Sequence, residues 1–194
     1  MMSTPAPQIL LISGSIRDPS YTHTLSAAVE QSLRQLAVAT IHWDLRRVPL
    51  PIADPMFHSD PAQHPDPRVQ TLVRLATGSD GFVLASPIYH NSYSGVLKNV
   101  LDHLTIAQFR LKPIGLLSHG SNRSTQAVDH LRIVVRGLLG VAIPSQVCTA
   151  VDDFKDNGGS GYEIVHAEIL ARVERFSREL LAFAEQLRPL RASS

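Results

Sequence analysis

Short apolar runs and helically spaced apolar stripes alternate along this chain almost from end to end. Gln8–Ser13 is a continuous apolar run, the pattern of a central parallel strand buried on both faces. Leu25, Ala28, Val29, Leu33 and Leu36 then recur at the spacing of one helix face. Ala39–Leu45 alternates and predicts a second strand at a sheet edge. Pro67–Gly78 predicts a helix with Val69, Leu72, Val73 and Ala76 inside and Leu75 beside them. Asp80–Ala85 is a third strand, and Val96, Leu97, Val100, Leu101 and Leu104 mark the helix after it. Lys112–Leu117 is a fourth strand. The next helix carries Ala127, Leu131, Val134, Val135 and Leu138, with Gly140 placed to stop it. Ala142–Ala150 is a fifth strand and Tyr162–Leu187 a final helix. Four stretches fall outside the pattern: a flexible tail over residues 1–7, a Pro-rich loop from Val48 to Pro67, a flexible loop from Val151 to Gly161, and a frayed tail from Arg188 to Ser194.

Five strands alternating with helices predict an α/β fold: a parallel sheet covered by helices on both faces. In such sheets ligands sit beyond the carboxyl ends of the strands. The chemistry therefore belongs to the loops that leave those ends.

The loop after the first strand is Gly14-Ser15-Ile16-Arg17-Asp18-Pro19-Ser20-Tyr21-Thr22-His23-Thr24. Hydroxyls of Ser15, Ser20 and Thr22, backbone amides and a helix N-terminus are the donors a phosphate dianion needs. Arg17 can add a charge-assisted contact. The plain alternative is a capped turn with an exposed arginine. The loop after the third strand, Ser86-Pro87-Ile88-Tyr89-His90-Asn91-Ser92-Tyr93-Ser94-Gly95, is too polar for a strand and too rich in Pro, Ser and Gly for a helix. Ser94 is a good N-cap for the helix that follows. A third polar turn, Ser118-His119-Gly120-Ser121-Asn122-Arg123, follows the fourth strand.

The block from Ser86 to Leu104 resembles the flavin-contacting segment of the NADPH-dependent FMN reductase family. That family is of flavodoxin-like fold and includes flavin, quinone, azo and chromate reductases. The first loop resembles the family's phosphate motif, Gly-Ser-x-Arg-x-x-Ser-x-Asn/Thr, at Ser15, Arg17, Ser20 and Thr22, with Tyr21 inside it. Thr22 stands where many relatives have asparagine. The resemblance runs from Gln8 to about Leu187. It implies one flavodoxin-like domain, a three-layer sandwich with strand order 2-1-3-4-5, in which the first and third loops meet at one crevice. It implies bound FMN, with NADPH or NADH as donor and a small-molecule acceptor (quinone, free flavin, azo compound or metal oxyanion). Pro87, Ile88, Tyr89, His90, Asn91 and Ser92 are expected around the ring and ribityl chain, and Gly120 and Ser121 on the other side. The Pro-rich segment is expected near the flavin or at a subunit contact, and the protein as a homodimer or homotetramer.

Composition narrows the alternatives. A net charge of +1 gives no basic surface for nucleic acid and none for an anionic membrane. No apolar run is long enough to span a bilayer, and the first residues lack the pattern of a signal peptide, so the expected location is the cytoplasm. Cys148 is the single cysteine and reads as a buried small hydrophobe. There is no Gly-x-Gly-x-x-Gly dinucleotide fingerprint, no triphosphate loop, no His-Glu-x-x-His metal pattern and no Gly-x-Ser-x-Gly elbow. No metal and no obligatory protein acid or base is expected; His90 and His119 stay open as proton donors. The competing class is a non-enzymatic FMN-binding electron carrier or interaction protein. A docking carrier of flavodoxin type would be strongly acidic, which this chain is not.

Overall fold

The computed structural model describes residues 6–192. Strands β1 (Gln8–Ser13), β2 (Ala39–Asp44), β3 (Gly81–Pro87), β4 (Pro113–His119) and β5 (Val141–Thr149) form one sheet in the order β2-β1-β3-β4-β5. All of its pairings are parallel. The helices are α1 (Tyr21–Gln35), α2 (Pro67–Gly78), α3 (Gly95–Asp102), α4 (Ile106–Phe109), α5 (Gln126–Gly137) and α6 (Ala167–Ala192).

Alternation along each strand sends side chains to two separate cores. Leu10, Ile12, Phe82, Leu84, Ile114 and Leu116 pack under α2, α3 and α5, with Leu72, Leu97 and Leu131. Ile9, Leu11, Val83, Ala85, Leu117 and Val147 pack under α1 and α6, with Leu25, Val29, Val173 and Phe176. The continuous apolar runs of β1 and β3 are thus buried on both faces, as a central parallel strand requires.

The structure redraws several boundaries. β3 extends to Pro87 and β4 to His119, so Pro87, Ser118 and His119 are strand residues. The helix before Gly140 ends at Gly137, and Leu139, not Gly140, takes the left-handed turn at φ 58°. Within Val48–Pro67 two short 3-10 turns form, Pro55–Phe57 and Pro61–Gln63.

The largest departure lies after β5. Val151–Gly161 is no flexible loop, and Tyr162 does not open a helix. A 3-10 turn at Val151–Asp153 leads into an antiparallel hairpin of β6 (Phe154–Asp156) and β7 (Tyr162–Ile164). Asn157-Gly158-Gly159-Ser160-Gly161 closes it, with Gly158, Gly159 and Gly161 all at positive φ. α6 then continues through the expected C-terminal tail to Ala192. Arg188 and Arg191 anchor that end on Asp80, the latter with Nη2 2.7 Å from Oδ1. At the other end the expected tail is ordered at Pro7, whose carbonyl accepts from the Ala39 amide at 3.0 Å. Residues 1–5 and 193–194, the rest of both expected tails, lie outside the described residues.

Candidate functional site

The order β2-β1-β3 makes the loops after β1 and β3 leave the sheet side by side and turn to opposite faces. Their junction is hydrogen-bonded. The Gly14 amide donates to Ala85 O at 2.8 Å, and the Ser94 hydroxyl donates to Gly14 O at 2.6 Å. Ser94 Oγ also accepts from Leu97 N at 3.3 Å, capping α3, while its own amide donates to Ser86 Oγ at 2.8 Å. Gly14 is required by this close approach. A Cβ there would lie 2.8 Å from Leu97 Cβ and 2.9 Å from Ala85 O.

The β1 loop gathers hydrogen-bond donors at the start of α1. Ser15, Ser20 and Thr22 are buried, and Ser20 is the N-cap of α1, accepting from His23 N at 3.2 Å. The first intrahelical amide bond runs from Thr24 N to Ser20 O, so the Tyr21 and Thr22 amides precede it. The first turn of α1 contains no acidic residue. Asp18, the one carboxylate in the loop, is neutralised by Arg46, whose Nη1 lies 2.8 Å from Asp18 Oδ1 while its other donors hold Asp44. Arg17 stands exposed beside the loop, with Nη2 3.2 Å from the Tyr162 hydroxyl. Hydroxyls, unspent amides, a helix N-terminus and an arginine make a donor set that fits a phosphate dianion.

The β3 loop begins at Ile88, whose amide donates to His119 O at 2.8 Å. Tyr89 and Ser92 exchange backbone hydrogen bonds of 2.9 and 3.0 Å around His90 and Asn91. Both central residues have positive φ, 48° and 63°, the signature of a type I′ turn. Tyr89, His90 and Asn91 are exposed at the rim; Pro87 is buried and Ile88 and Ser92 half-buried. Gly120 reaches the same crevice, its amide bonded to Thr149 O at 3.1 Å. A Cβ on Gly120 would meet Ile88 Cδ1 at 2.9 Å, so this glycine lets the two loops close on each other. Ser121 is exposed next to it.

His119 is not free. It stacks on Tyr21 with ring centroids 4.5 Å apart, and its Nδ1 is 3.2 Å from Thr149 Oγ1. Thr149 Oγ1 donates to Ser118 O, so it accepts the Nδ1 proton of His119. Burial drives the His119 pKa down to about 4. The imidazole is therefore neutral at pH 7.

Other residues of the site carried no motif. Tyr162 from β7 stacks on Tyr21 at 3.6 Å, with Phe154 edge-on to Tyr21 at 5.0 Å. Their signal was the alternation Phe154-Lys155-Asp156 and Tyr162-Glu163-Ile164 around a Gly-rich turn, a hairpin pattern. His130 of α5 reaches Ser92 Oγ at 3.0 Å. Arg123 pairs with buried Asp153, whose carboxylate also accepts from Ala150 N at 2.8 Å, fixing the turn before β6 to the β4 loop. Arg123 is expected from no spacing rule, because its partner lies 30 residues away. Among the described residues no His, Cys, Asp and Glu group has metal-site geometry, and no helix is long and apolar enough to cross a membrane.

A 2-1-3-4-5 parallel sheet with its crevice between the β1 and β3 loops is the architecture of the flavodoxin-like proteins. The model of the NADPH-dependent FMN reductase family matches residues 7–155, and the chain belongs to that family. FMN and NAD(P)H are accordingly its cofactors. It is 36% identical over 177 residues to an FMN-dependent NADPH-azoreductase of Staphylococcus saprophyticus subsp. saprophyticus, covering 91% of this chain and 94% of that one. Identity to the FMN-dependent NADPH-azoreductase of Staphylococcus aureus (strain USA300) is 33% over 175 residues, 90% and 93% of the two chains. Among solved structures, FerB of Paracoccus denitrificans, a flavoenzyme NAD(P)H:(acceptor) oxidoreductase, superposes with a TM-score of 0.73 at 16% identity over 93% of this chain and 98% of its own. At that identity the likeness is one of fold.

Proposed function

We propose that this protein passes a hydride from NAD(P)H by way of bound FMN to a small-molecule acceptor, and that azo compounds are the acceptor class to test first. The observation that carries the reading is the joining of the β1 and β3 loops at Gly14 and Ser94, which sets a phosphate-type donor loop beside the exposed turn of Tyr89, His90 and Asn91. The azo class comes from the named relatives; quinones, free flavin and metal oxyanions are the alternatives within the family.

FMN, when bound, supplies the two-electron chemistry. The chain's own residues bind and orient. Ser15, Ser20, Thr22 and the amides of Tyr21 and Thr22 hold the phosphate, with Arg17 adding charge. Pro87, Ile88, Tyr89, His90, Asn91 and Ser92 border the ring and ribityl chain on one side, and Gly120 and Ser121 on the other. No side chain is assigned a proton transfer. His119 is committed through Nδ1 to Thr149, which leaves exposed His90 and solvent at the open rim as the candidate sources of the protons that accompany reduction.

The same reading includes one FMN-binding domain in a cytoplasmic homodimer or homotetramer. Ile16 of the β1 loop, Tyr89 of the β3 loop and Ile52 and Met56 of the Pro-rich segment support the assembly, since all are large, apolar and more than half exposed. A monomer mass by light scattering at micromolar protein would remove that part of the reading.

The experiment is an anaerobic absorbance spectrum of FMN-loaded protein, first with NADPH and then with an azo dye. Flavin bands that bleach with NADPH and return as the dye loses colour support the proposal. Bands that bleach but return only with a quinone move the acceptor class. Bands unmoved by NADPH or NADH refute the reductase reading and leave a carrier.

A further inference from the structure

We propose that Tyr162 is a positioning residue for Arg17, and that the β6–β7 hairpin thereby sets how tightly the β1 loop grips the flavin phosphate. The inference rests on the reading that the phosphate sits in that loop. It concerns a residue outside the 7–155 stretch that the family model matches.

Arg17 is exposed, and an unrestrained arginine gives up considerable rotamer freedom when it docks on an anion. Its guanidinium is already held in this structure. Nη2 donates to the Tyr162 hydroxyl at 3.2 Å, and Cζ lies 5.6 Å from the centroid of the Tyr21 ring. Among the described residues no carboxylate lies within ion-pair distance of Arg17. The nearby Asp18 and Asp153 are instead taken by Arg46 and Arg123. This distinction matters. A carboxylate would hold the guanidinium by neutralising it and would compete with phosphate. A phenol oxygen accepts one N–H and leaves the charge and the remaining donors for the ligand.

Tyr162 can serve as an anchor because it is itself fixed. Its ring stacks on Tyr21 at 3.6 Å with the planes 17° apart. Its backbone pairs with Asp156 across the hairpin, and the turn is closed by Asn157 N to Gly161 O at 3.0 Å. Phe154, next to the buried Asp153, packs its edge against both Tyr21 and His119. The chain of fixed contacts runs from the end of β5 through the hairpin to the guanidinium. An arginine held in place before the ligand arrives loses less freedom on binding, which raises affinity with no new contact to the ligand.

The consequence is specific to the phosphate. Tyr162→Phe removes the hydroxyl and keeps the ring stack. The dissociation constants to measure are those of FMN and of riboflavin, which lacks the phosphate, by quenching of flavin fluorescence in the flavin-free protein. The expected result is that Tyr162→Phe weakens FMN by about three- to tenfold, the range of one hydrogen bond, and leaves riboflavin unchanged. In an Arg17→Ala background the same substitution should have no further effect on FMN, because the residue it acts through is gone. An equal loss for both flavins would make the hairpin a general structural support and overturn the proposal. So would unchanged FMN binding in Tyr162→Phe while Arg17→Ala still weakens it. If Arg17→Ala itself leaves FMN affinity unchanged, the placement of the phosphate in the β1 loop fails, and the positioning role falls with it.

Discussion

His119 ties the site to the stability of the fold through its protonation state. The ring is enclosed by Tyr21 and Phe154 and donates Nδ1–H to Thr149, whose own proton goes to Ser118 O. Adding a proton would bury an imidazolium, so the pKa falls from 6.5 to about 4. In the unfolded chain the ring keeps its ordinary value. The contribution to stability is therefore complete above pH 6.5 and is lost as pH falls toward 4, where the unfolded state takes up a proton that the folded state refuses. At about 1.4 kcal/mol per pH unit the whole effect is about 3 kcal/mol. About 2 kcal/mol of it falls between about pH 7.5 and about pH 5, and solvent at the ring edge brings the expected loss to about 1–2 kcal/mol. The assay is urea unfolding of the flavin-free protein at those two pH values, for the parent and for His119→Phe, which keeps an aromatic ring on Tyr21 and cannot titrate. Ligand-free protein is needed because bound FMN would add its own stabilisation. The parent should lose more stability on acidification than the variant, by that 1–2 kcal/mol. Equal losses in the two proteins would refute the claim that this imidazole is kept neutral by burial.

Other predictions concern the loop junction. Ser94→Ala removes both the cap of α3 and the bond to Gly14 O, and should cost about 1–3 kcal/mol in urea unfolding while loosening FMN binding. Gly14→Ala forces a Cβ onto Leu97 and Ala85 O, and a loss of about 1–3 kcal/mol is expected by the same assay. At the rim, Asn91→Gly should raise or preserve the thermal midpoint and Asn91→Val should lower it, by about 1–2 kcal/mol of left-handed strain at φ 63°.

The sequence determined the sheet. Apolar runs at Gln8–Ser13, Asp80–Ala85 and Lys112–Leu117, separated by helically spaced stripes, leave a parallel sheet with helices on both faces as the arrangement that buries them all. The two chemically loaded loops were equally legible, because hydroxyls, an arginine and helix-capping residues are local in sequence. What local pattern could not contain was decided by pairings across long sequence separations. His119 reads as a polar turn residue until β4 is extended by its pairing with Pro87 and Thr149. Arg188 and Arg191 read as a loose tail until Asp80, more than 100 residues earlier, holds them in α6. Tyr162 reads as the start of a helix until the hairpin folds back and lays its ring on Tyr21. In each case a short segment with weak intrinsic preference took its structure from a partner that only the folded chain brings near, because tertiary contact outweighs local propensity where the latter is small.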